Sequence, residues 1–212
     1  MQKIEFPIVI KPSKDSYGGA DIYFVKNMDS IKKVINQHSN LVVQEKINQS
    51  ELINLFNPDS VNTVRVCLYK DVYGKTHVLN TSIRMGKDGS LDNETAGGIV
   101  CNIKPTGFLN EYAVDKYGAK YLSHPNSNFI FKNKKFPLYK ELKDISKEVV
   151  QEIVGARLIS LDMALDSNNS WRCIEVNLFG QTIRFAQYAG EPFFGELTDE
   201  IRKLVSTNCN EK

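Results

Sequence analysis

Short apolar or alternating stretches separated by polar turns run through this chain, and they predict strands more often than helices. β-Branched content and bounding turn residues predict strands at 8–11, 22–25, 41–47, 63–70, 77–85, 158–165 and 171–177. Apolar stripes at helical spacing predict a helix capped by Asp29 and Ser30, a second along 138–154 and a third over 196–205. The pattern therefore indicates a mixed α and β protein without internal repeats.

Two pairs of these strands predict antiparallel hairpins. The strands at 63–70 and 77–85 are joined by a turn containing Gly74, and those at 158–165 and 171–177 by the polar turn 166–170. Hairpins of this kind exclude an all-parallel sheet. The chain also contains no GxGxxG or GxxxxGK[ST] motif, which argues against a dinucleotide-binding Rossmann unit.

The second hairpin brings two carboxylates together. The predicted pairs are Asp166 with Trp171, Met163 with Ile174, Leu161 with Val176 and Asp162 with Glu175. Asn177 shares the face of Glu175, because alternate strand residues point the same way. Like charges directly opposite each other destabilise a sheet unless a cation offsets them, and three oxygen ligands of this kind suit Mg²⁺. The alternative is a solvent-facing acid pair bridged by a lysine or arginine.

Arginines interrupt apolar runs on both arms of the first hairpin. Arg65 lies between two valines, and Arg84 lies between Ile83 and Met85. We expect each guanidinium on one face of the sheet, where its geometry suits phosphate or carboxylate. If that face also holds the acidic hairpin, the cations and the metal converge on one anion. Exposed strand arginines are the alternative.

A loop after the first strand is the candidate phosphate site. Lys11 lies at its root, and Ser16, Gly18 and Gly19 follow within it. Backbone N–H groups of such a loop can surround phosphate oxygens, with the lysine adding positive charge. The alternative is a plain glycine turn.

The end of the strand at 41–47 is a candidate adenine site. Its main chain at Lys46 and Ile47 could contact an adenine edge while Glu45 accepts a hydrogen bond. A plain strand with solvated charges is the alternative. His124 stands alone in a loop and is interpreted as structural.

Composition excludes several classes of protein. The 212 residues suit one large domain or two small ones, and a hydrophobic share of 42% with a net charge of +2 gives no sign of a nucleic-acid or membrane partner. The four cysteines have no CxxC spacing, so neither a disulfide framework nor a zinc site is expected, and a reducing cytoplasm fits best. No apolar run has the length of a spanning helix or the form of a signal peptide.

The ordered set of motifs resembles the ATP-grasp superfamily, which includes D-alanine:D-alanine ligases and glutathione synthetases. The matching parts are Lys11 with the glycine loop, the segment 43–47, Asp162 and the ExN triplet at 175–177. A closer resemblance is to the sugar-transfer-associated, hexapeptide-transferase-like branch. Its characteristic segments occur here in order at 57–65, 84–86, 92–93, 97–99 and 124–125.

The resemblance implies an α+β ATP-grasp fold, in which two subdomains with mainly antiparallel sheets sandwich the nucleotide. We expect a small subdomain at 1–50 and a large one at 51–212. We expect the domain that precedes the lysine strand in relatives to be missing, so that the chain is a fragment or acts with a protein partner.

The implied activity is that of an ATP-dependent ligase. A carboxylate attacks the γ-phosphate of ATP, and an amine captures the resulting acyl phosphate, in cell-surface polysaccharide or peptide-like metabolite synthesis. The resemblance assigns Mg²⁺ to Asp162, Glu175 and Asn177, the α/β-phosphates to Lys11, Ser16, Gly18 and Gly19, the nucleotide to Glu45, Lys46 and Ile47, the γ-phosphate to Arg84 and Arg65, and the acceptor to Arg184. Alternatives are a non-catalytic ATP-binding module and a small-molecule kinase on the same scaffold.

Overall fold

Two antiparallel sheets form the framework of the protein in a computed structural model that describes residues 6–13, 22–89, 92 and 97–210. The small sheet has the order β2-β1-β3 and consists of β1 (Ile8–Pro12), β2 (Tyr23–Val25) and β3 (Leu41–Glu45). The helix α1 (Met28–Ile35) packs on it, because Ile31 and Val34 join the buried residues of β1 and β2.

The large sheet has seven strands in the order β10-β9-β4-β5-β6-β7-β8. Its strands are β4 (Thr63–Lys70), β5 (Thr76–Met85), β6 (Ile99–Ile103), β7 (Leu109–Val114), β8 (Lys120–Tyr121), β9 (Leu158–Leu165) and β10 (Trp171–Asn177). The remaining helices are α2 (Glu51–Asn54), α3 (Tyr139–Gln151), α4 (Arg184–Ala189) and α5 (Thr198–Asn210). None of the described helices is both long and apolar enough to cross a membrane.

The predicted fold class is confirmed, since the protein is α+β with antiparallel pairing throughout both sheets. All strands of the small sheet precede residue 50 in the sequence, and all strands of the large sheet follow it. The division into subdomains at that point stays a prediction.

One face of the large sheet is aliphatic and forms the main core. Alternate residues of β4 and β9 point into it, including Val64, Val66, Leu161 and Met163, all of which are buried. The helix α3 covers this face through Leu142 and Val150 and their neighbours. The opposite face carries the alternate, polar residues of the same strands.

Several predicted boundaries need correction. The strand β3 ends at Glu45, so Lys46 and Ile47 lie beyond it. The N-cap of α1 is Asn27, not Asp29 or Ser30, because the Asn27 side chain accepts a hydrogen bond from the Ser30 N–H at 3.0 Å. The strands β6, β7 and β8 and the helices α2 and α4 were not predicted.

The predicted register of the second hairpin is confirmed at the acids and wrong near the turn. Asp162 lies opposite Glu175, but Met163 pairs with Cys173, and Trp171 pairs with Leu165. Asp166 belongs to the turn, where its side chain accepts hydrogen bonds from the N–H groups of residues 168 and 170 at 2.9 Å each. A bulge between Cys173 and Glu175 then restores the register.

The small sheet is joined to the second hairpin by hydrogen bonds. Gln44 of β3 donates from Nε2 to the carbonyl oxygen of Ile174 at 3.1 Å. After β3, the Ser50 N–H donates to the Leu165 carbonyl oxygen at 3.0 Å, and its hydroxyl donates to Asn169 Oδ1 at 2.6 Å. Gln44 therefore links β3 to β10, and Ser50 links the segment after β3 to the end of β9 and to the hairpin turn.

Candidate functional site

Asp162 is the centre of the site. It is 4% exposed and binds two arginines. Arg65 donates from Nε to Asp162 Oδ1 and from Nη2 to Oδ2 at 3.0 Å, which is a bidentate pair. Arg84 approaches the same Oδ2 with Nη2 at 3.1 Å. Both cations therefore converge on one carboxylate.

Sheet register explains this convergence. Arg65 of β4 lies directly opposite Asp162 of β9, and Thr63 of β4 lies directly opposite Arg84 of β5. Directly opposite residues share a face and lie within side-chain reach of each other. The predicted location of both arginines on one face with the acidic hairpin is thus observed, and the alternative of exposed strand arginines is wrong because Arg84 is only 8% exposed.

Arg84 has further partners beside Asp162. Its Nε and Nη2 donate to the hydroxyl of Thr63 at 3.0 Å and 2.6 Å. Asp92, from the segment after β5, places Oδ2 at 3.8 Å from Arg84 Nη2 and accepts hydrogen bonds from the Thr63 hydroxyl and, at 3.2 Å, the Thr63 N–H. Arg65 in turn donates to the Thr182 hydroxyl at 3.1 Å.

The charges of this cluster control its protonation. Burial by itself would raise the pKa of Asp162, but the positive charges of Arg84 and Arg65 and their hydrogen bonds outweigh burial and lower the pKa. Burial raises the pKa of Asp92, and the positive charge of the nearby Arg84 offsets only part of this rise. Asp162 therefore stays ionised at neutral pH despite its burial.

The predicted metal ligands lie together on the polar face. Glu175 is exposed and lies opposite Asp162, and its charge contributes to the raised pKa of Arg84. Asn177 lies two residues further along β10, and its Nδ2 is buried without a hydrogen-bond partner in the described structure. The set has two carboxylates and one amide, and among the described residues no group of three or more His, Cys, Asp or Glu side chains is arranged to hold a metal ion. Their role as metal ligands stays a prediction.

The alternative reading of the acids needs correction as well. A solvent-facing pair is wrong for Asp162, which is buried, although the arginine bridge that this alternative proposed is present. Only Glu175 faces solvent.

Lys11 lies on the same face of the small sheet as Gln44. Lys11 alternates with the buried Ile10 and so shares the face of Val9, which pairs with Gln44. Burial raises the pKa of Cys173 on β10, and the charge of Lys11 opposes this rise, so the lysine acts electrostatically on β10. Lys11 therefore lies on the face of the small sheet that also carries Gln44, whose side chain contacts β10.

The other predicted nucleotide residues are placed only in part. Glu45 and Lys46 are exposed and Ile47 is half-buried, at the point where the chain passes from the small sheet to the hairpin turn. Ser16, Gly18 and Gly19 lie outside the described residues. The assignment of these positions to the nucleotide stays a prediction.

Two further predictions concern side chains outside the cluster. Arg184 is exposed at the start of α4, and its guanidinium lies 5.8 Å from the centre of the Phe185 ring. His124 is fully buried, with Nε2 at 2.8 Å from the Gly86 carbonyl oxygen and Nδ1 accepting from the N–H groups of residues 126 and 127. This environment agrees with a structural histidine.

Sequence reasoning assigns no individual role to Thr63, Thr182 or Gln44, although Thr63 lies in the family segment 57–65 and Gln44 in the segment 43–47. The signal for Thr63 was strand alternation, because it lies two residues before Arg65 and therefore on the same face. Thr182 and Gln44 gave no such signal, since their contacts come from a loop and from the other sheet.

Solved structures share this fold. The beta-gamma-ATP complex of biotin carboxylase from Campylobacter jejuni aligns with a TM-score of 0.51 and 11% identity over 87% of this chain and 33% of its own. The ATP complex of carboxyaminoimidazole ribonucleotide synthase from Aspergillus clavatus aligns with a TM-score of 0.50 and 11% identity over 84% and 35%. The chain thus spans about a third of the length of these structures. No curated protein sequence matches it.

Sequence comparison defines the family. The family described as sugar-transfer associated ATP-grasp matches residues 29–203, which is most of the chain. The chain therefore belongs to this family, as the ordered motifs predicted.

Proposed function

We propose that the protein binds Mg·ATP between its two sheets and transfers the γ-phosphoryl group to a substrate carboxylate, forming an acyl phosphate that an amine or similar nucleophile captures. The proposal rests on one observation above all. Two arginines, Arg65 and Arg84, converge on the ionised Asp162 directly opposite Glu175. The similar solved structures were determined with ATP, and this supports nucleotide binding.

The donor set fits a magnesium ion. Asp162 is kept ionised by its arginine neighbours, Glu175 is exposed opposite it, and Asn177, two residues further along β10, carries an amide oxygen. Hard oxygen donors of this kind are those that Mg²⁺ prefers together with phosphate oxygens. When bound, the ion would neutralise charge on the phosphate oxygens.

We assign separate roles in phosphoryl transfer to the residues of the site. Arg84 and Arg65 stabilise negative charge on the transferring phosphoryl group, and Lys11 adds charge from the opposite sheet. The reaction needs no covalent intermediate with the protein, because positioning and charge neutralisation supply most of the catalysis in phosphoryl transfer. In this proposal Glu45, Lys46 and Ile47 contact the nucleotide, and Arg184 helps to hold the acceptor.

Glu175→Gln tests the ligand assignment. The change keeps the size of an exposed side chain and removes one negative oxygen, so we expect Mg·ATP binding to be abolished in titration calorimetry. Glu148→Gln, on the exposed side of α3, is the matched control and should bind like the unmodified protein. Equal Mg·ATP affinity in E175Q and the control would contradict the assignment.

A turnover assay tests the reaction itself. We expect release of ADP and phosphate from ATP when the protein is incubated with a pool of carboxylates and amines. Binding of ATP without turnover would instead indicate a non-catalytic module, and a stable phosphorylated product formed without an amine would indicate a kinase.

A further inference from the structure

The hydroxyl group of Thr63 has all of its hydrogen-bonding capacity in use. It donates its single hydrogen to Asp92 Oδ2, and it accepts from Nε and Nη2 of Arg84 at 3.0 Å and 2.6 Å. A hydroxyl offers one donor and two acceptor sites, so all three are occupied. Arg84 cannot rotate without breaking at least one of these bonds.

Asp92 is held in place by the backbone around it. Its carboxylate also accepts from the Thr63 N–H at 3.2 Å, which fixes the acid against the start of β4. A Cβ on Gly98 would lie 2.7 Å from the carbonyl oxygens of both Asp92 and Met85. The absence of a side chain at Gly98 therefore lets the carbonyl groups of Asp92 and of Met85, at the end of β5, lie close to residue 98.

We infer that Thr63 and Asp92 are positioning residues that fix the direction of the Arg84 guanidinium toward Asp162. This inference rests on the proposed function, since Arg84 is placed there at the transferring phosphoryl group. Asp92 orients the Thr63 hydroxyl by taking its hydrogen, and both lone pairs of the oxygen then point at Arg84. Arg65 has a different arrangement, because Asp162 itself binds it in a bidentate way.

The orientation of the Arg84 guanidinium affects the rate of phosphoryl transfer in this proposal. Catalytic groups must be held close to their productive geometry, and a misplacement of about 1 Å can cost roughly 100-fold in rate. The guanidinium is planar and rigid, but a group anchored by Asp162 alone at one nitrogen could still swing about the Cγ–Cδ and Cδ–Nε bonds of its side chain. The Thr63 bonds to both Nε and Nη2 define the plane of the group.

Thr63→Val and Thr63→Ser separate the hydroxyl from the rest of the side chain. T63V is nearly isosteric and removes the bonds to Arg84, so we expect kcat to fall about 100-fold while the KM for ATP changes by less than about threefold. T63S keeps the hydroxyl and should restore most of kcat. Thr76→Val is the matched control, because the Thr76 hydroxyl is buried without a partner in the part of the chain that the structure describes.

A second readout does not depend on turnover. The Arg84 Nε–H resonance, assigned by its loss in Arg84→Lys, should exchange with solvent about tenfold faster in T63V and at the original rate in T63S and T76V. Gly98→Ala leaves Thr63 intact and displaces the Asp92 segment, so it should also speed this exchange. It provides the test if T63V does not fold.

The outcomes distinguish the two proposals. Absence of turnover in the unmodified protein would contradict the proposed function, and the exchange measurement would still decide the role of Thr63. Unchanged Arg84 exchange in folded T63V, or in folded G98A, would overturn the positioning role. Equal losses of kcat in T63V and T63S would also overturn it.

Discussion

The two faces of the seven-stranded sheet are built from the same strands but are stabilised in different ways. Val64 and Val66 of β4 point into the aliphatic core under α3, and Thr63 and Arg65, between and beside them, point to the opposite face. The aliphatic face is held by non-directional burial. The polar face is held by hydrogen bonds and ion pairs, each of which depends on the position of its partner.

This difference makes the two faces sensitive to different changes. A core accepts other apolar side chains of similar volume at modest cost. A buried ion cluster does not accept even an isosteric change, because removing one partner leaves a buried charge uncompensated. Stability should therefore depend on side-chain volume on the aliphatic face and on side-chain charge on the polar face.

Adjacent residues of β9 give the largest expected effects. Leu161 is fully buried on the aliphatic face, and Leu161→Ala should lower the free energy of unfolding by about 3 kcal/mol through cavity formation. Asp162→Asn should lower it by about 3 kcal/mol as well, since Arg65 and Arg84 lose their shared counter-charge. Denaturant unfolding measures both values.

Nucleotide binding separates these two variants. Folded L161A should keep its Mg·ATP affinity in calorimetry, because its side chain points away from the site, whereas D162N should lose most of it. Equal losses of affinity in both variants would show that the two faces are not functionally distinct.

The pH dependence of stability sharpens the comparison further. The pKa of Asp162 is lowered in the folded protein by Arg84 and Arg65, which outweigh its burial. Its contribution to stability is therefore fully present above the unfolded pKa of about 3.9 and is lost as the pH falls through the lower folded pKa. The difference in unfolding free energy between the unmodified protein and D162N should be constant near neutral pH and shrink below about pH 4.

L161A provides the control for this titration. Leu161 does not titrate, so the stability difference caused by L161A should be the same at pH 7 and at acidic pH. A D162N difference that grows on acidification would contradict the lowered pKa.

Much of the polar face follows from sequence alternation, and its details do not. Alternation in the two hairpins predicts that Arg65, Asp162 and Glu175 share a face, and the register near the acids is as predicted. The bulge at Ile174 was not predictable, because it depends on Asp166 joining the turn rather than the strand. Repeated apolar and polar positions specify faces, whereas local turn bonds decide the pairing.

The partners of Arg84 show a second limit. Asp92 reaches Thr63 only because the backbone at Gly98 approaches the carbonyl oxygens of Asp92 and Met85 closely. Such loop docking depends on tertiary contacts that no periodicity records. A threonine in a strand is also common for its β propensity alone, so its type gives no sign that its hydroxyl binds an arginine.

The smallest expected effect on stability comes from the hydrogen bond that Gln44 makes to β10. The helix α3 covers the aliphatic face by packing, whereas Gln44 joins the small sheet to the edge strand beside the polar face by one side-chain hydrogen bond to Ile174 at 3.1 Å. Gln44→Ala should lower the free energy of unfolding by only about 1 kcal/mol, since that is the usual net value of one hydrogen bond.

The same variant should nevertheless weaken Mg·ATP binding in calorimetry. Lys11 shares the face of Gln44, and its position depends on how that face meets β10. Val43→Ala, an exposed neighbour on the same strand, is the control for both measurements. If Q44A and V43A bind Mg·ATP equally well, the hydrogen bond does not align the two sheets, and the polar face must be sufficient for binding without it.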